Sequence, residues 1–250
     1  MSAIAQVIVN GLIAGSIYAL VAAGFSLIYS TNRFIHFAHG AVIAFAAYML
    51  YTFFSLLNLP FSMAIVMTLL VTAVLGVGLY KLVYQSLLKK KASMVILLIA
   101  SLGLLILIEN ILQAVFGADI KSINAFAINQ GWSIAGITIT SLQLVIIGIA
   151  LIMLGLIYGI MQKTKLGRHM RAVADNKELA AVMGINEKKI AAYSFIIGSL
   201  LGAVAGILIG LEQNIRPTMG TGLMIKGFTG AVIGSVTSVP GAVLGAFILG

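Results

Sequence analysis

The chain alternates between long apolar stretches and short polar breaks. Seven apolar segments reach about 20 residues, the length of helix that crosses a bilayer, and they cover residues 4–28, 35–54, 61–80, 92–116, 141–161, 190–211 and 223–250. The first segment lacks the basic start of a signal peptide and exceeds a signal-peptide core in length, so we expect it to remain as a span. The pattern predicts an all-α integral membrane protein, a polytopic helix bundle that forms a single domain over residues 1–250.

Composition supports insertion into a lipid bilayer. Charged residues make up 8% of the chain and hydrophobic residues 61%, whereas a soluble domain has about 25% charged residues. The net charge of +9 does not indicate nucleic acid, because the basic residues are scattered between apolar segments and aromatic stacking runs are missing from the sequence. We therefore expect the bilayer, and no nucleic acid, as a partner.

Basic residues fall on alternate sides of the predicted spans. Twelve of the fifteen Lys and Arg lie at Arg33, in Lys81–Lys91 and in Lys163–Lys189, all on one side by this topology. The positive-inside rule makes that side cytoplasmic and leaves the N-terminus outside. Residues 117–140, with Trp132 as an interfacial anchor, then form an outer connection.

The most polar stretch is the predicted cytoplasmic loop, residues 162–189. It holds seven of the fifteen basic residues, and no Pro or Gly interrupts Arg168–Met183, so one exposed helix of roughly 24 Å is expected there. Gly184 suits the left-handed position that ends a helix, and Asn186 suits the cap of the next one. The charged stripe on this helix has two interpretations, a solvated loop or a docking surface for a soluble cytoplasmic partner, and it consists of Arg168, Arg171, Asp175 and Glu178.

Glycines and Pro240 break up the last apolar segment. We expect Phe228–Gly241 to be a discontinuous or re-entrant helix near a translocation path, because a broken backbone at membrane depth must be buried in protein or line a cavity. Gly230, Gly234 and Pro240 are its candidate path residues. The apolar run 242–250 has no polar flank, which suggests a truncated polypeptide.

A few polar groups within apolar segments are further candidates for the path. His39, beside Gly40, could face an aqueous vestibule or cap a neighbouring helix end. Glu109 and Asn110 lie near the outer end of their span and could contact substrate or be solvated structural groups. Patterns typical of a metal site, a catalytic triad or a phosphate-binding loop are missing from the sequence, so we expect neither a cofactor nor enzymatic activity in this chain.

Short similarities suggest an internal repeat. Phe37–Ile43 resembles Phe228–Ile233, and Gly15-Ser16 resembles Gly198-Ser199. The members of each pair run in opposite directions by the predicted topology, as in an inverted repeat.

Four longer stretches resemble the branched-chain amino-acid permease subunits of bacterial ABC importers, and they are Asn10–Tyr29, Phe34–Gly40, Leu166–Asn186 and Lys226–Gly250. Glu178–Gly184 is similar to the family loop that docks the ATPase, although Leu179 replaces the first alanine of its E-A-A pattern. The resemblance implies ATPase-coupling residues, which on this chain are Arg168, Arg171, Asp175, Glu178, Ala181 and Gly184. It also implies an inner-membrane half-channel that works with a second permease subunit, cytoplasmic ABC ATPases and an extracytoplasmic substrate-binding protein.

The residues themselves leave a second class open, an ion-coupled secondary transporter or channel. Such a protein needs charges inside its bundle to bind the coupling ion, and Glu109 is the one acidic candidate in a span core of this sequence. The interpretation as a secondary transporter or channel also leaves the polar loop without a role. The resemblance points to branched-chain amino acids as substrate, with urea or short amides as the nearer variant.

Overall fold

A computed structural model describes residues 2–123, 132–134 and 137–250. Most of these residues are helical, and six of the described helices are long and apolar enough to cross a membrane. The predicted all-α polytopic bundle is therefore confirmed. The part of the predicted outer connection at residues 124–131 and 135–136 lies outside the described residues.

The helices follow the apolar segments with a few displaced ends. Helix α2 continues as a π-helical stretch, Tyr51–Leu56, and α3 continues through a second one, Leu79–Tyr84, into α4. The elements are α1 Ser2–Asn32, α2 His39–Leu50, α3 Phe61–Gly78, α4 Gln85–Lys89, α5 Met94–Phe116, β1 Trp132–Ile134, β2 Ile137–Ile139, α6 Ser141–Lys163, α7 Lys165–Asp175, α8 Lys177–Val182, α9 Glu187–Glu212, α10 Met219–Gly234 and α11 Val239–Leu249.

Two helix ends differ from the expected span boundaries. The helix that contains the third predicted span continues past Tyr80 to Lys89, because Lys81 faces outward while the π-helical turn directs Tyr80 and Tyr84 into the bundle. The second helix begins at His39 rather than Ile35. The residues before it, 33–38, are irregular although they are largely buried.

The antiparallel helices α1 and α9 form the centre of the bundle. Asn32 at the end of α1 donates a hydrogen bond to Ser194 near the start of α9. Small residues let the backbones approach, since a Cβ built on Gly198 would lie 3.0 Å from the Gly24 carbonyl oxygen. The remaining long helices pack around this pair.

The two ends of the bundle differ in what closes them. At one end lie the end of α1, helices α7 and α8, and the start of α9. At the other end, Lys121 forms a backbone bridge with Ile215, Gln143 approaches Glu212 at 3.4 Å, and Gln6 bonds to the backbone of Thr138. The basic loop and the N-terminus therefore occupy opposite ends, as the charge pattern predicts.

The bend expected near the C-terminus is present. Helices α10 and α11 meet at 116° across a short break. Ser238 caps α11, and Pro240 occupies its first turn, where a missing N–H costs no helical hydrogen bond. The turn between the two helices is fixed to α1, because Ser26 donates to the Val236 carbonyl at 2.8 Å.

Candidate docking loop and membrane-buried helix starts

Helix α7 leaves the bundle at a sharp corner after α6. Thr164 caps α7 by accepting from the Gly167 N–H at 3.1 Å. A side chain at Gly167 would collide with the carbonyl oxygens of Ile160 and Met161, so the corner requires glycine. Met170 and Val173 are buried against the bundle, which fixes the orientation of α7.

The predicted single helix Arg168–Met183 is wrong, because the structure breaks it at Asn176. Asn176 has an extended backbone (φ −146°, ψ 108°) and caps α8 through its side chain, which accepts from the Leu179 N–H. The helical stripe of charges is therefore divided, with Glu178 on α8 and its other members on α7. An asparagine side chain competes with the helix backbone for hydrogen bonds, which favours a cap over a helix interior.

The predicted caps after the break are confirmed. Gly184 has φ +80°, and its N–H donates to Ala181 while the Ile185 N–H donates to Ala180, both at 3.0 Å. This pair of bonds is the Schellman arrangement. Asn186 then caps α9 by accepting from the Lys189 N–H.

All six predicted ATPase-coupling residues are exposed on this loop. Arg171 curls back to the end of α6, where it donates to the Met161 carbonyl and to Gln162. Whether the six residues contact an ATPase stays a prediction.

Helix α8 also exposes an apolar surface that the charge-based argument missed. Leu179, Val182 and Met183 are 60%, 84% and 75% exposed, beside Glu178 and Ala181. We call these five residues the α8 face. An exposed apolar group on an otherwise polar loop is typical of a surface that a protein partner covers. The signal was in the sequence, as apolar residues on both sides of the buried Ala180.

Helix α2 begins near the centre of the bundle rather than at the end where α1 stops. Asn32 lies beside Ser194 of α9, whereas His39 lies against Gly202. The irregular segment 33–38 therefore advances roughly 12 Å along α9, because Ser194 and Gly202 are eight residues apart and a helix rises about 1.5 Å per residue. Ser101 of α5 supports it by accepting from the Ala38 N–H at 3.0 Å.

Helix α10 begins in the same central region, after a segment that descends from the opposite end. Ile215 packs on Gly210 near the end of α9, and Gly220 then touches Gly40 at the start of α2. A Cβ on Gly40 would lie 2.7 Å from the Gly220 carbonyl oxygen, and a Cβ on Gly220 would collide with the Gly40 carbonyl oxygen. The two helix starts thus meet backbone to backbone.

His39 fills the space beside that meeting point. Its imidazole is fully buried. A Cβ added to Gly24 or to Gly202 would lie 2.9 Å from a ring atom of His39, so the ring packs directly against both glycines. In the described part of the chain, neither ring nitrogen of His39 has a hydrogen-bond partner. Its neighbour His36 bonds to the Tyr84 hydroxyl at 2.9 Å.

Glu109 and Asn110 separate in the structure. Glu109 accepts a 2.5 Å hydrogen bond from Thr221 in the first turn of α10, so it is next to the central helix starts. Asn110 is exposed and donates to the Ile106 carbonyl of its own helix. Only Glu109 of this pair therefore joins His39 and Gly40.

The remaining predicted path residues hold the α10–α11 bend together. A Cβ on Gly230 would lie 2.7 Å from the Ala246 Cα, and one on Gly234 would collide with the Gly241 carbonyl oxygen. Pro240 is exposed and borders a groove of about 490 Å³ that also reaches Arg171. For these three residues the structure shows close packing and a helix start, and contact with substrate stays a prediction.

Comparison with known proteins gives one consistent family. The family model described as the permease component of the branched-chain amino acid transport system matches residues 7–250. No solved structure matches.

Several relatives match almost the whole chain. The high-affinity branched-chain amino acid transport system permease protein BraD of Pseudomonas aeruginosa is 35% identical, covering 98% of this chain and 83% of its own length. The corresponding LivH protein of Salmonella typhimurium is 29% identical with the same coverage. A probable LivH of Methanocaldococcus jannaschii is 30% identical, over 98% of this chain and 78% of the relative. The chain therefore belongs to the family of permease components of branched-chain amino acid transport systems.

Proposed function

We propose that the chain is the permease subunit of an ATP-driven importer that carries branched-chain amino acids across the bacterial inner membrane. Membership of the permease family and the names of the relatives support this. ATP is hydrolysed by a separate chain. A substrate-binding protein delivers the amino acid from outside, and a second permease subunit completes the path.

The observation that carries the proposal is the α8 face. Its three large apolar side chains, Leu179, Val182 and Met183, are more than half exposed at the basic end of the bundle. Such side chains gain about 25 cal/mol for each Å² removed from water, and an ATPase groove would provide that burial. Glu178 at the edge of the face supplies a charge that the partner can recognise.

The proposed orientation places this face in the cytoplasm, where ATP is available. The basic residues of the loop favour that side, and the N-terminus then lies outside. The uncharged character of the central helix starts, apart from Glu109, suits a zwitterionic solute better than a coupling ion.

The docking role is tested by Val182→Asp and Glu178→Lys in the assembled transporter. Val182→Asp places a charge in a desolvated contact, and Glu178→Lys reverses a recognised charge. Each should weaken co-purification of the ATPase at least about tenfold, equivalent to about 1.4 kcal/mol, and abolish substrate-stimulated ATP hydrolysis. A solvated loop would tolerate both changes, since exposed charge pairs contribute about 0–1 kcal/mol.

The matched control is Lys188→Asp, at the same end of the bundle but in the first turn of α9, where an acid suits the helix dipole. It should leave ATPase association at the wild-type level. Normal association and coupling in both α8 variants would contradict the docking role.

Transport itself is tested in proteoliposomes that contain both permease subunits and the ATPase. With the binding protein outside, leucine uptake should require ATP and should survive collapse of ion gradients. The affinity of the cognate binding protein for leucine, valine, urea and short amides then identifies the substrate. Uptake that follows an ion gradient without ATP would refute the proposal.

A further inference from the structure

Two hydrogen bonds join the docking loop, residues 162–189, to the end of α1. The Arg33 guanidinium donates to the Ala174 carbonyl near the end of α7. The Lys177 ammonium of α8 donates to the Asn32 carbonyl at the end of α1, at 3.1 Å. We call these two bonds the clasp.

The helix ends explain why these carbonyls accept the cations. The last carbonyls of a helix have no partner within it, and the break at Asn176 ends α7 just beyond Ala174. Asn32 is likewise the last residue of α1. Each cation thus satisfies the free end of the other helix, where the helix dipole also favours positive charge.

On the bundle side, the clasp is attached to Asn32, a residue that is held firmly in place. The Asn32 side chain is buried and donates to Ser194 of α9 at 3.0 Å and to the Ile28 carbonyl at 3.0 Å. Arg33 has φ +64°, a left-handed conformation that a non-glycine residue adopts only when its surroundings hold it there. The backbone therefore reverses at the residue that carries the guanidinium.

On the membrane side, the clasp leads directly to the central helix starts. Five residues after Arg33, the chain reaches Ala38, which Ser101 holds, and then His39 and Gly40. Gly40 touches Gly220 at the start of α10. One short segment, residues 33–38, therefore connects the α7–α8 junction to the point where the two helix starts meet.

The two hydrogen bonds of the clasp can break and re-form, because their acceptors are neutral and the two donors carry like charges. Both cations bond to carbonyl groups rather than carboxylates, and charge-assisted bonds to carboxylates are the stronger kind. Burial lowers the pKa of Lys177, Glu187 opposes this, and the nearby Arg33 lowers it further. The two cations thus repel one another across the junction.

We propose that Arg33 and Lys177 are positioning residues that transmit movement of the docking loop to the first central helix start. The inference rests on the proposed docking of an ATPase to this loop. The bound ATPase would shift α8, the clasp would carry the shift to Arg33, and segment 33–38 would move the Gly40–Gly220 contact.

The test compares Arg33→Gln and Lys177→Gln in the full transporter, reconstituted with its ATPase and binding protein. Glutamine keeps a polar side chain but is too short to span the clasp. Both variants should retain ATPase association and hydrolyse ATP within about twofold of wild type, while the amino acid imported per ATP falls at least about tenfold. Lys177→Arg, which can still reach the Asn32 carbonyl, should restore most of that ratio.

The control is Lys165→Gln, an exposed cation in the first turn of α7 that lies outside the clasp. It should keep the wild-type ratio of transport to hydrolysis. An unchanged ratio in both clasp variants would overturn the inference, and so would a parallel fall of transport and hydrolysis. Should Arg33→Gln fail to fold, Lys177→Gln alone decides, because Lys177 lies on the partly exposed loop.

Failure of the underlying function gives a different result. If the wild-type permease does not retain the ATPase, the docking role itself is refuted, whatever the clasp variants do. Suppose instead that the wild-type permease retains the ATPase and imports leucine, and that the clasp variants import as much amino acid per ATP as wild type. That result refutes the transmission role and leaves the docking role standing.

Discussion

The turn before α2 and the turn before α10 are built alike. The His39 N–H donates to the His36 carbonyl at 3.2 Å, and the Met219 N–H donates to the Arg216 carbonyl at 3.1 Å. Each turn follows the end of a long helix and opens a new helix at the centre of the bundle. Their surroundings differ, since the first turn is packed among aromatic rings and the second exposes Arg216.

The contacts of the two turns reach opposite ends of the molecule. Segment 33–38 is tied through the clasp to the basic docking loop. Segment 213–218 is tied through the Lys121–Ile215 bridge to the other end. One backbone design therefore serves two ends, and the cytoplasmic and external partners proposed here would each act on a different helix start.

The largest effect is expected where the two starts meet. Gly220→Ala places a methyl group against the Gly40 carbonyl oxygen, and because the obstacle is backbone, a whole helix start must move. We expect a loss of about 3 kcal/mol or more, the upper end of overpacking effects. Thermal unfolding of the detergent-purified protein measures it.

Gly222→Ala is the matched control on the same helix. Among the described residues, no atom lies within 4 Å of a Cβ at Gly222, so this change should be neutral or stabilise by about 0.5–1 kcal/mol through helix propensity. Equal unfolding temperatures for the two alanine variants would contradict close contact between the helix starts.

A smaller effect should separate the two turns from one another. Ser101→Ala removes the acceptor of the buried Ala38 N–H, and an unsatisfied buried donor costs about 1–3 kcal/mol. Thr221→Val removes the donor to Glu109. Because Glu109 is half-buried, its carboxylate can turn to water, so we expect a loss of about 1 kcal/mol of stability.

Unfolding of these two variants under the same conditions gives the comparison. Ser101→Ala should be the less stable of the two. The opposite order would show that the second turn, not the first, depends more on its polar support.

The sequence predicted the helices, the polar loop and the bend near Pro240, but not the break at Asn176 or the irregular segment 33–38. Asn176 was placed inside a helix because Pro and Gly are missing from Arg168–Met183. The cap signal was present, since an asparagine followed by Glu178 suits a first turn. Local propensity alone did not decide whether the helix continues through Asn176. Packing against the bundle also contributes, because the buried face of α7 ends at Val173 and that of α8 resumes at Ala180.

The irregular segment 33–38 could not be predicted in this way. Phe34, His36 and Ala38 are buried although they are not helical, so an apolar pattern alone extends the span through them. What permits the break is tertiary, namely Ser101 and Tyr84 supplied by other helices. Likewise the predicted inverted repeat paired Gly40 with Gly230, whereas the structure places Gly40 and Gly220 at equivalent helix starts.

The related contacts of the two halves keep the inverted repeat as a prediction. Helix α1 packs against α10 and α11, as α9 packs against α2 and α3. The helix starts of α2 and α10 then correspond at a separation of 180 residues, and this register follows from the backbone rather than from sequence similarity.

The most direct test of the account is which end of the bundle faces the cytoplasm. The cysteine-free chain allows single cysteines at Asp119, whose side chain is 88% exposed, and at the exposed Glu178. An impermeant thiol reagent added to intact cells should label the cysteine at position 119, and it should label the one at 178 only after the cells are opened. Labelling of position 178 alone in intact cells would place the docking loop outside and contradict the assignment of the two helix starts to their partners.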